Sequence, residues 1–96
     1  MLGKETVLIA HPPPLGTLDR VMHRFHAGCR PLRDVILECQ PSLVICGHIH
    51  ENPGRAAIGR TTVVNCAMGN TEGGALIQFH KGKHVTVKFL TAEQKL

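Results

Sequence analysis

Ninety-six residues make one domain at most, one that would bury roughly 64% of the surface its unfolded chain exposes. Apolar residues at 43% and charged residues at 19% exclude disorder by composition, and no run of about 18 apolar residues is present to span a membrane as a helix. The net charge of +4 is scattered, with no block of five Lys or Arg, and three Phe without Trp or Tyr make no stacking platform, so nucleic acid is not the expected partner.

Met1-Leu2-Gly3-Lys4-Glu5 does not read as a secretory leader. Thr6 to Ala10 is a short continuous apolar run, the pattern of a strand buried on both faces. It stops at His11-Pro12-Pro13-Pro14, because consecutive prolines cannot continue a ladder. From Leu15 to Cys29 the assignment is open, although Leu18, Val21, Met22 and Phe25 have helical spacing that Ala27-Gly28 would end. Pro31 suits a first helical turn, and Leu32, Val35, Ile36 and Cys39 follow as an amphipathic stripe that must end before Pro41. Leu43 to Cys46 is a second apolar run, closed by Gly47-His48-Ile49-His50. Strand, helix and strand in this order predict a crossover with parallel strands.

The remainder reads as antiparallel. Ala56–Ile58 and Thr61–Val64 flank a Gly59-Arg60 turn, Cys66 to Gly74 is a glycine-rich loop, and Ala75–Phe79 and His84–Phe89 flank a second turn. Residues 91–96 read as a loose tail, so residues 1–96 are taken as a single domain. The four cysteines form no CxxC pair, and Cys46 lies within an apolar run. Cys46 and Cys66 are therefore packing residues, and the expected setting is reducing and cytoplasmic.

Both apolar strands end in histidine. If they are parallel, His11, His48 and His50 meet on the carboxyl edge of one sheet, where open α/β sheets bind ligands. Neutral imidazole is the commonest metal-binding side chain, so three convergent rings suggest an ion. Taken singly, each is better explained as a hydrogen-bonded turn residue than as a ligand. In extended backbone His48 and His50 point the same way, Gly47 allows a sharp turn before them, and Pro12 fixes the exit after His11. His23 and His26 would share a helix face and read as surface residues before a metal pair. His80 and His84 flank a turn. Asn65, Asn70 and Thr71 either form a turn or approach a phosphate, and Glu51 is a partner for a histidine or a surface carboxylate.

Gly47-His48-Ile49-His50 with Glu51, preceded by an apolar strand, resembles the GHxH signature of calcineurin-like metallophosphoesterases. His11-Pro12-Pro13 resembles that family's upstream histidine block, and Gly28-Cys29, Leu32, Gln40-Pro41 and Gly59 to Asn65 fit its order across about residues 5 to 90. The resemblance implies an α/β fold: half of a metallophosphoesterase sandwich, a mixed sheet with one crossover helix followed by antiparallel hairpins. It implies hydrolysis of phosphoric mono- or diesters at two divalent transition ions (Mn, Fe, Zn or Ni), with His11 and His48 on one, His50 on the other, and His26 and Asn65 on the substrate side. The family's DxH, GD and GNH blocks do not occur here. The chain is therefore expected to be a partial, carboxyl-terminal domain, inactive alone and completed by an amino-terminal half or by self-association. Two adjacent divalent ions repel and need carboxylate between them, which three neutral imidazoles do not supply. One ion at most is expected in this chain alone. The alternative is a mononuclear metal-binding or scaffold module without hydrolase activity.

Overall fold

A computed structural model describes residues 6–22, 24–49, 52–67, 72–79 and 85–91. In chain order these form β1 (Val7–Ile9), β2 (Arg20–Val21), β3 (Phe25–His26), α1 (Arg30–Cys39), β4 (Leu43–Cys46), β5 (Gly54–Ile58), β6 (Thr61–Asn65), β7 (Glu72–Phe79) and β8 (Val85–Thr91). The chain is of α/β class, with a mixed sheet, one helix and antiparallel hairpins. No helix among the described residues is long and apolar enough to cross a membrane.

The main sheet has the order β1-β4-β6-β5. The predicted crossover is present: β1 pairs with β4 in parallel, Val7 opposite Leu43. The β5–β6 hairpin turns at Gly59-Arg60 as predicted. Its second strand is not only antiparallel, however. It also pairs in parallel with β4, Leu43 opposite Thr62, so β6 lies inside the sheet.

Alternation along β4 and β6 divides the core into two layers. Val44, Cys46 and Val63 meet Ile36 of the helix, with Leu8, Leu18, Leu32 and Ile58 around them. Leu43 and Val64 point the other way, onto Val85, Ile77, Val87 and Phe89 of the β7–β8 hairpin. Each fully buried Val, Leu or Ile contributes about 1.5–3 kcal/mol, against about 1 kcal/mol for a typical hydrogen bond, so the centre of this sheet dominates stability.

Pro31 sits in the first turn of α1 and no side chain caps that end. The other end is closed by Gln40, which is left-handed at φ 46°, the conformation of a helix stop. Its amide donates to Ile36 O and Ile58 O and accepts from Arg60 N, joining the helix end to the β5–β6 turn. Thr61, also buried, donates its hydroxyl to Pro41 O at 2.7 Å.

Four expectations are corrected. β1 is not buried on both faces: it edges the described sheet, and Ile9 is 76% exposed while Leu8 packs inward. The described residues between 15 and 29 form no helix. Gly16, Leu18 and Met22 take positive φ, β2 and β3 make a short hairpin, and of the would-be apolar stripe Met22 and Phe25 are exposed. The reason is Asp19, whose side chain offers the local backbone other partners than a helix would. The glycine-rich loop ends early, because β7 begins at Glu72 with an irregularity before Ala75. Thr91 closes β8 and does not start a tail; residues 92–96 lie outside the described set.

Candidate metal centre and substrate side

The parallel ladder runs one step past the strands. Ala10 N donates to Ile45 O and Gly47 N to His11 O, both at 2.9 Å, which sets His11 beside Gly47 at the carboxyl edge of β1 and β4. The His11 and His48 rings come together there, centroids 4.6 Å apart and tilted by 51°. Both residues are exposed at the rim. The sharp turn expected at Gly47 falls instead on His48, at φ 70°. Ile49 N donates to Gly47 O at 2.8 Å, closing a three-residue γ-turn about His48. A residue with a Cβ pays about 1–3 kcal/mol for such a backbone, and the surroundings must hold it there. The anchor is Ile49, buried immediately after it.

Asn65, the last residue of β6, holds this loop. It is fully buried. Its amide nitrogen lies 2.9 Å from Ile49 O, 2.9 Å from Asn52 O and 3.2 Å from Leu18 O, and its Oδ1 accepts from Ala67 N. A direct contact to phosphate, one of the roles expected for Asn65, requires these bonds to break. In this structure the side chain joins the 48–52 loop to the loop after His11.

That second loop is organised by Asp19, which motif reading left without a role. Its carboxylate is fully buried and accepts from Gly16 N at 2.8 Å, Gly28 N at 2.9 Å and His26 Nδ1 at 2.7 Å. Gly28 has no room for a side chain, since a Cβ there would meet Pro14 O at 2.6 Å. Burial by itself raises the Asp19 pKa; the bond from His26 and those from the two glycine amides outweigh it and leave the group below its ordinary value. The one signal in the sequence was an aspartate between two glycines, a residue able to bond nearby backbone. His26 is therefore not on a helix. It lies in β3 with its ring 43% exposed and Nδ1 turned to Asp19.

The pH consequence has a definite sign. A carboxyl with a lowered folded-state pKa stabilises the fold above its unfolded value of about 3.9, and this is lost as pH falls through the folded value. Denaturation measured from pH 6 to pH 2 is expected to lose stability on that limb, and Asp19→Asn to flatten it while weakening the fold at neutral pH.

Cys46 is buried and its thiol is pushed up to about 12 by desolvation and by Cys66, so it packs and does not react. His50, Glu51, His23, His80, His84, Asn70 and Thr71 lie outside the described residues. Among the described residues no three of His, Cys, Asp and Glu gather closely enough to hold an ion.

Residues 2–88 match the family described as metallophosphoesterase, calcineurin superfamily. The chain belongs to this metallophosphoesterase family. It is 44% identical over 64 residues to metallophosphoesterase domain-containing protein 1 of Homo sapiens, covering 65% of this chain and 20% of the relative. The same identity over 64 residues relates it to a UPF0046 protein of Caenorhabditis elegans, covering 67% and 22%. An uncharacterized protein of Methanocaldococcus jannaschii is 33% identical over 67 residues, covering 65% and 31%. The matches thus span about a fifth to a third of these relatives. No solved structure shows a significant match. Metallophosphoesterases generally use divalent metals, and the imidazole pair at the rim is the kind of donor such an ion takes.

Proposed function

We propose that this chain supplies the imidazole side of the metal centre of a phosphoric mono- or diester hydrolase, with His11, His48 and His50 holding a divalent transition ion (Mn, Fe, Zn or Ni). The observation that carries this reading is the His11–His48 pair at the carboxyl edge of two parallel strands. Two imidazoles on one ion, with metal–nitrogen bonds of about 2.0–2.1 Å, bring their ring centroids to roughly 4.5–5.5 Å, and 4.6 Å falls within that span. When bound, such an ion supplies Lewis-acid chemistry toward a phosphoryl group. The chain's own part is to fix the ligands: the ladder seats His11, and the γ-turn aims His48 outward.

The same donor chemistry limits this chain to one ion. Of the acids whose side chains are described, Asp34 and Glu38 are exposed on α1, and Asp19 is held by His26 and two amides. None neutralises a second ion at His11 and His48. The reading therefore includes an amino-terminal half, in the same or another polypeptide, or a second copy, to complete the site. Exposed Ile9 on β1 favours such cover, and the phosphoester is met only by the completed enzyme. A reducing, cytoplasmic setting belongs to the same reading, with all four cysteines free.

Metal analysis of the purified chain after equilibration with Mn or Zn is expected to give one tightly bound ion, lost in His11→Ala, and no manganese-dependent turnover of an aryl phosphoester. Turnover restored by a polypeptide carrying the DxH, GD and GNH blocks supports the hydrolase. One ion without such restoration supports the scaffold module. Two tight ions per chain, or turnover by this chain alone that vanishes in His48→Ala, would overturn the incomplete site.

A further inference from the structure

The segment that follows the His48 turn is gripped at two points by one atom. Asn65 Nδ2 lies 2.9 Å from Ile49 O and 2.9 Å from Asn52 O, so His50 and Glu51 are bracketed along the chain by two fixed carbonyls. From the second of these points Asn52 reaches outward. Its Oδ1 accepts from Arg20 N at 3.0 Å, a bond that spans 32 residues of sequence. The backbone there has little freedom, because Pro53 disfavours helical dihedrals at the residue before it, and Gly54 follows at φ 143°, a value that suits glycine. The element at the far end of the bond is weakly held by packing. β2 and β3 have two residues each, and Met22 and Phe25 are exposed, so the hairpin buries little apolar surface of its own. Its position depends on hydrogen bonds: those of Asp19 to Gly16 N and Gly28 N on one side, and that of Asn52 on the other.

We propose that Asn52 is a positioning residue that couples the β2–β3 hairpin to the His48 turn, so that docking of the hairpin and binding of a divalent ion at the rim favour each other. This rests on the reading of His11 and His48 as ligands and adds to it a means of regulating that site. The left-handed backbone at His48 persists only while its surroundings hold it. Burial of Ile49 and the grip of Asn65 on Ile49 O supply part of that hold, and Asn52 joins the hairpin to the same bonded group. Its Oδ1 is taken by Arg20 N, so it acts through the turn and not as a ligand. An ion that fixes His48 steadies Asn52 and, through it, Arg20 N. By linkage, whatever steadies the hairpin raises the affinity for the ion by the same factor.

The test compares the full chain with Asn52→Ala and Asn52→Asp. Aspartate keeps an oxygen to accept from Arg20 N, and alanine does not. In chelator, hydrogen exchange at the Arg20 and Ile49 amides is expected to quicken about fivefold in Asn52→Ala, the scale of one neutral hydrogen bond, and to return to the parent rate in Asn52→Asp. Exchange at Val63, in the middle of β6, is expected to stay unchanged in both, which a general loss of stability would not allow. In a zinc titration Asn52→Ala is expected to bind about fivefold more weakly, and Asn52→Asp at least as tightly as the parent. The amide resonance of Arg20 is expected to shift saturably with zinc in the parent and to stay still in Asn52→Ala. Unchanged exchange at Ile49 in Asn52→Ala, or a loss of zinc affinity that Asn52→Asp does not restore, would overturn the coupling. Zinc bound equally by the parent and Asn52→Ala overturns it too, while leaving His11 and His48 as ligands. A parent chain that takes no zinc removes those ligands and the link to the ion, and exchange at Ile49 then decides by itself whether hairpin and turn are joined.

Discussion

Replacing His48 with glycine is expected to stabilise the metal-free chain by about 0.5–1 kcal/mol while lowering its affinity for a divalent ion by at least about 100-fold. The two effects have opposite signs because they have different origins. The backbone at φ 70° strains any residue with a Cβ, and glycine adopts it freely. Relief of about 1–3 kcal/mol is offset in part by the extra freedom glycine gives the unfolded chain and by loss of the ring contact to His11. Alanine at the same position keeps the Cβ and hence the strain, so His48→Ala should lose the ion without gaining stability. Urea denaturation in chelator, beside a zinc titration, separates the two variants. Equal stabilities for glycine and alanine at this position would show that the turn carries no strain, and unchanged zinc affinity in both would remove His48 from the ligand set.

Asn65→Ala is expected to cost about 3–5 kcal/mol, the largest loss from any single exchange at the rim. The side chain is fully buried, and its removal leaves a cavity together with the carbonyls of Leu18, Ile49 and Asn52 and the amide of Ala67 in want of partners. For a domain of this length a loss of 1 kcal/mol lowers the melting temperature by about 4–8 °C, so the variant should melt some tens of degrees early or fail to fold. Asn65→Asp tests the direction of these bonds. An acid offers the three carbonyls no donor when ionised and places a charge in the interior, so it should be no better than alanine. A melting temperature within a few degrees of the parent in both variants would mean that the two loops are not held together by this side chain. The same lock supports the strained turn at His48, so a folded Asn65→Ala chain should also bind metal more weakly.

The parts of the fold that could be read directly are those where local chemistry leaves few choices. The run Thr6–Ala10 ends at three prolines, α1 begins at Pro31 and stops before Pro41, and Leu43–Cys46 is apolar without interruption. Parallel pairing of β1 and β4 follows from that order, and with it the meeting of His11 and His48 at one edge. Residues 15–29 could not be read this way. Leu18, Val21, Met22 and Phe25 have a period that a helix would use, yet the spacing says nothing about a buried carboxylate nine residues from the glycine amide it binds. The double pairing of β6 was equally hidden, since Thr61–Asn65 is a suitable strand whether one neighbour flanks it or two.

Histidine placement, the chain order of the two apolar strands about α1 and the absence of the family's acidic blocks are one-dimensional facts, read from residue type along the chain. Which atoms hold the two imidazoles in place is not. Asn65 lies 47 residues from Leu18 and 16 from Ile49, and no periodicity links them; only packing brings its amide to both loops. Burial then turns an ordinary asparagine into a lock and an isolated aspartate into the post on which His26 is mounted, because a polar group out of reach of water must find its partners within the protein.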